Sequence, residues 1–124
     1  MNDSHSNKYS EVSQLVNEIK NNENLDGIIF AYRDGELISE NIGDELNCRN
    51  FASMCATVLE SAIGIGEIIG NQKFKKVIAE LEDKTLLIFE CDNNTFFILI
   101  INRESNISYI INKLENIIQK VTKM

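Results

Sequence analysis

A chain of 124 residues with 44% apolar and 25% charged side chains is long and apolar enough to bury a core as one domain, which excludes a disordered polymer. Its net charge of −7 supplies no basic stripe to neutralise phosphates, so neither nucleic acid nor an anionic membrane surface is an expected partner. The longest unbroken apolar run, Phe96 to Ile101, is far short of the roughly 20 residues of a spanning helix; with a polar start that lacks an apolar signal core, the expectation is a cytoplasmic protein with a disordered tail over residues 1–8 and one domain over 9–124.

After that tail, Val12, Leu15, Val16 and Ile19 fall at helical spacing, with Ser10 as N-cap and Asn21-Asn22 as a stop. Gly27 to Tyr32 is rich in β-formers, and Arg33-Asp34-Gly35 then supplies an Asp-Gly pair suited to a tight hairpin before Leu37 to Ile42. From Asn47 to about Ile69, the residues Phe51, Met54, Cys55, Val58, Leu59, Ala62, Ile65 and Ile69 recur every three or four positions, opposite Arg49, Ser53, Thr57, Glu60 and Glu67. This predicts the longest helix of the chain, with Asp44 as its expected cap.

Three strands follow, at Phe74 to Glu82, Thr85 to Cys91 and Thr95 to Ile101, separated by Asp83-Lys84 and Asp92-Asn93-Asn94. The first alternates apolar and polar residues, as an edge strand does, whereas 96–101 is apolar on both faces and is expected to be central. A last helical stripe runs from Ile107 through Ile110, Leu114 and Ile117 to Val121, opened by Ser105 or Asn106. The order is α-β-β-α-β-β-β-α, an α+β single domain.

The segment from Gly64 to Gly70, GIGEIIG, approaches the glycine fingerprint of dinucleotide sites. Such a fingerprint needs a strand running into the glycines and a helix starting there, so that backbone N–H groups face the phosphates. Here the glycines end a helical pattern, with Gly70 placed as its cap, and no cofactor is expected. Gly64 and Gly66 each weaken a helix by roughly 0.5–1 kcal/mol, which points to close approach of another element.

The only histidine, His5, lies in the tail and cannot serve as base to a cysteine nucleophile. Cys48, Cys55 and Cys91 form no C-x-x-C and no His cluster, so no metal site is expected and core packing as reduced thiols is the default. No constellation joins a nucleophile, a base and an orienting group, and an enzyme is not expected.

With this element order in hand, the chain resembles the roadblock/light-chain family over roughly residues 9–122, and is similar to its prokaryotic single-domain members. The residues that carry the resemblance are the opening helix leading into Leu25 to Ile38, with its glycine, apolar strand and Asp-Gly hairpin, the small-residue-rich Phe51 to Ala56, and the Ser105-Asn106-Ile107 helix start. The resemblance implies a five-stranded antiparallel sheet in the order 2-1-5-4-3, with the long helix on one face and the first and last helices on the other.

It also implies a homodimer, or a heterodimer with a paralogue, built from the edge strand and the long helix. Phe74, Val77, Ile78, Ala79 and Leu81 belong to the strand side of that interface, and Cys55, Val58, Ala62, Gly64 and Gly66 to the helix side. Family resemblance further implies a non-enzymatic adaptor that docks or regulates a small Ras-like GTPase, as family members do, some of them stimulating GTP hydrolysis from outside the nucleotide site, with Arg49, Ser53, Thr57 and Glu60 as docking candidates. The alternatives are a profilin-like small-molecule sensor and a structural scaffold subunit.

Overall fold

Strand β5, Thr95–Asn102, lies at the centre of the molecule because its residues are apolar on both sides and so need cover on both. This computed structural model describes residues 11–14, 16–21, 25–43, 46–102 and 106–122. Around β5 the chain sets β1 (Gly27–Tyr32), β2 (Leu37–Ile42), β3 (Lys76–Glu80) and β4 (Lys84–Glu90) in one antiparallel sheet of order β2-β1-β5-β4-β3. The tail 1–8, Ser10, Leu15, Asn22, Asp44 and Ser105 lie outside the described residues.

Each pairing follows from a turn or from burial. Leu99 stands opposite both Ile28 and Leu87, and Ile98 opposite both Ile29 and Ile88, so successive rows of apolar side chains alternate between the two faces. The β1–β2 register shifts between Phe30 and Ala31, a bulge that adds local twist just before the hairpin turn. In that turn only Gly35 takes a positive φ, +96°; Asp34 contributes instead through its side chain, which accepts the Glu36 N–H at 2.9 Å.

One face of the sheet is covered by α1 (helical residues 11–14 and 16–21) and by α3 (Ile107–Thr122). Val12, Val16 and Ile19 from α1 and Ile110, Leu114 and Ile117 from α3 close over Ile28, Phe30, Leu87, Phe97 and Leu99. The Phe30 and Phe97 rings meet there with centroids 4.8 Å apart. Asn106 caps α3, its side chain accepting the Tyr109 N–H at 3.0 Å.

The other face is covered by α2, Cys48–Gly70, a helix of 23 residues. Ala52, Cys55, Ala56 and Leu59 are its buried residues, packed over Ile29, Ala31, Ile88, Phe96 and Ile98. Its cap is Asn47, not Asp44: the Asn47 side chain accepts the Asn50 N–H at 3.2 Å. At the other end the left-handed residue is Asn71 (φ 56°), so Gly70 (φ 141°) closes the helix and Asn71, not the glycine, is the cap. By length and apolarity alone α2 matches a membrane span, but it lies along the sheet and carries Arg49, Glu60 and Glu67.

Candidate functional site

At about 100° per residue, α2 presents three stripes, not the two that periodicity suggests. The first, containing Ala52, Cys55, Ala56 and Leu59, faces the sheet. The second holds Met54, Val58, Ile65 and Ile69, which are 70%, 43%, 56% and 71% exposed. The third holds Arg49, Ser53, Thr57, Glu60 and Glu67, all exposed. Contiguous apolar surface left open on a folded monomer marks an interaction face.

A second apolar surface lies at β3. This strand ends the sheet, and beside it Ile78 and Leu81 are exposed large apolar residues. Phe74 and Val77 are half-buried against the α2 side of the core, and Ala79 is half-buried. An edge strand with apolar side chains and free ladder groups is a template for pairing with another chain.

Two of the ten expected interface residues are engaged by their own chain. Cys55 is 3% exposed, seated between α2 and the sheet; it belongs to the first stripe and has no surface to offer a second chain. Gly66 meets the returning chain instead: its carbonyl accepts the Gln72 N–H at 2.9 Å, and a Cβ on it would stand 2.5 Å from the Gln72 carbonyl oxygen. Gly64 has open space where a Cβ would be, so no element of its own chain requires that glycine, and it borders the third stripe.

The four docking candidates run along that third stripe, and the structure brings Arg49, Ser53 and Glu60 against the β1–β2 turn. A Cβ on Gly35 would lie 2.9 Å from the Ser53 Cα, so the turn rests on α2 at close range. Asp34, Gly35, Glu36 and Leu37 line a cleft of about 460 Å³ with Arg49 and Ser53. The Thr57 hydroxyl donates to the Ser53 carbonyl at 3.2 Å. Glu60 accepts from Arg33, through Nε at 2.8 Å and also through Nη2.

Arg33 was invisible as a site residue in the sequence, where it stands 27 positions from Glu60. Its Nη1 also donates to Glu90 Oε2 and to the Asn93 carbonyl, both at 3.2 Å. One guanidinium therefore joins the first hairpin, the middle of α2 and the β4–β5 turn, using the planar fork that lysine lacks.

The Cys48 and Cys55 thiols are held protonated at neutral pH. None of the three cysteines is in a disulfide. Burial pushes the Cys55 thiol up to about 11, and burial together with a hydrogen bond to the Glu40 carboxylate and its charge pushes Cys48 up to about 11. Among the described residues no group of three or more His, Cys, Asp or Glu side chains is arranged to hold a metal ion.

Solved structures share this architecture. MglB of Myxococcus xanthus superposes with a TM-score of 0.86 at 15% identity, over 93% of this chain and 94% of that one. The gliding protein mglB of Thermus thermophilus gives 0.80 at 10% identity, over 94% and 89%, and a Roadblock/LC7 domain from Streptomyces avermitilis gives 0.73 at 15%, over 80% and 83%. At such identities the likeness establishes the fold alone. No curated protein matches the chain by sequence. The Roadblock/LC7 domain model, however, matches residues 11–102, the whole sheet and the two helices that precede β3, and the chain belongs to the Roadblock/LC7 family.

Proposed function

We propose that this protein is a non-enzymatic cytoplasmic adaptor that forms a homodimer through the open apolar stripe of α2 and the β3 edge, and docks a small Ras-like GTPase on Arg49, Ser53, Thr57 and Glu60. The observation that carries the proposal is the 23-residue helix whose buried side is only one of three, leaving Met54, Val58, Ile65 and Ile69 uncovered. Burying those side chains and the exposed Ile78 and Leu81 against a second copy returns roughly 25 cal/mol per Å² of apolar surface and removes an open edge. Family membership supports the choice of a GTPase as partner, and stimulation of its GTP hydrolysis is the activity to measure once binding is seen.

Two measurements test the proposal. Light scattering on a sizing column, at about 1 and about 100 μM, is expected to give twice 14.1 kDa at both concentrations. A monomer at both would remove the dimer and turn attention to a paralogous partner or to a bound small molecule. Titration against small GTPases of the same genome, loaded with GTP and with GDP, is expected to give a Kd below about 100 μM, equivalent to roughly −5.5 kcal/mol; weaker binding in every case would remove the partner.

A further inference from the structure

Glu60 is a docking candidate already held by another charged side chain, and the group that holds it also holds the turn beside the docking stripe. Isolated surface ion pairs contribute little, but Arg33 is half-buried and satisfies three acceptors on two other elements: Glu60 on α2, and Glu90 with the Asn93 carbonyl at the β4–β5 turn. Its own N–H donates to the Asn94 carbonyl at 2.8 Å, and the Gly35 N–H to the Tyr32 carbonyl at 2.8 Å. Backbone and side chain thus pin the same four-residue turn from both sides.

We infer that Arg33 is a positioning residue for the docking face: it fixes the Glu60 carboxylate and seats the β1–β2 turn on α2, so that Asp34 and Glu36 join Arg49 and Ser53 as parts of one recognition surface. The inference rests on the docking proposal above for its partner, and on the clamp geometry for everything else. The surface is composite, and its shape depends on a side chain that need not touch the partner. Lysine cannot replace Arg33, since one ammonium cannot present the divergent donors that reach Glu60 and Glu90 together.

The test has two arms on the full chain. In the first, hydrogen exchange of the amides of 33–36 is compared in wild type, Arg33→Ala and Arg33→Lys. Both variants are expected to exchange there about tenfold faster, while Ile98 and Leu99 in β5 stay unchanged and report an intact fold; unchanged exchange at 33–36 would overturn the clamp whatever the partner does.

In the second arm, the Kd of the GTPase is measured for Arg33→Ala, Glu60→Ala and the double variant. Each single change is expected to weaken binding about tenfold, and the double variant no further, because the two act through one group. Additive losses would make Arg33 a direct contact, and wild-type affinity in Arg33→Ala would make the clamp irrelevant to recognition; either overturns the inference. Failure of wild type to bind any GTPase would remove the docking proposal and the positioning role with it, and it is told apart from failure of the clamp by the exchange arm, which needs no partner.

Discussion

The two sides of the sheet solve the same problem differently. On the α1 and α3 side, large side chains such as Phe30, Phe97, Leu87 and Leu114 are fully buried by elements of the same chain. On the α2 side the helix approaches mostly with small residues, Ala52, Cys55 and Ala56, beside a single large buried one, Leu59, and leaves Met54, Ile65 and Ile69 on an open flank. The first side is finished by folding; the second leaves an apolar flank open, which the proposed dimer would cover. On the proposed reading, stability and association are carried by separate sets of residues.

The sharpest way to break this comparison is to empty the finished side. Phe97→Ala is expected to cost about 3–5 kcal/mol through lost transfer energy and a cavity between the layers, measured by urea denaturation. Next, Val58→Asp on the open flank is expected to leave the protomer's fold intact while halving the mass seen by light scattering. If instead it unfolds the chain, the open flank is needed for folding and the two sides are not separate.

Gly35→Ala tests where the proposed docking face meets the fold. At φ +96° with the Ser53 backbone 2.9 Å from the new Cβ, it is expected to cost about 1–3 kcal/mol and to weaken GTPase docking more than dimerisation. Asn47→Ala, which removes the cap of α2, is expected to cost about 1 kcal/mol by the same urea measurement.

The smallest effect concerns Cys48. Its folded pKa, about 11, stands above the ordinary 9.0 because of burial and the neighbouring Glu40. The protonated thiol is therefore favoured by folding, so its contribution to stability is complete below about pH 9 and is lost as pH rises toward 11. Alkylation of Cys48 by iodoacetamide is expected to follow the same window, and Glu40→Gln to shift the rise to lower pH.

Strand positions were legible because β1, β4 and β5 advertise themselves by apolar content and by Asp and Gly at the turns between them; the sheet order followed from the family resemblance. The helix caps were not, since Asp44, Asn47, Gly70 and Asn71 are all competent by type and only backbone geometry chooses among them. The periodic pattern of α2 also misled at Cys55: two adjacent apolar stripes, one toward the sheet and one toward solvent, merge into a single broad stripe in the sequence. Charge contacts such as Arg33 with Glu60 and Glu90 depend on three distant segments meeting, and no local spacing announces that.

The place of β5 between β1 and β4 bears on how the chain is made. The first hairpin is complete at Ile42, but β1 gains its second neighbour only when residues 95–102 appear, roughly 60 residues later, which at 5–20 residues per second is about 3–12 s of synthesis. Throughout that interval one long edge of β1, with Ile28, Ile29 and Phe30, has no strand to pair with. The last strand to pair is thus the one that joins the two halves of the sheet, and a ribosome pausing before it would leave the nascent chain with its most adhesive edge uncovered.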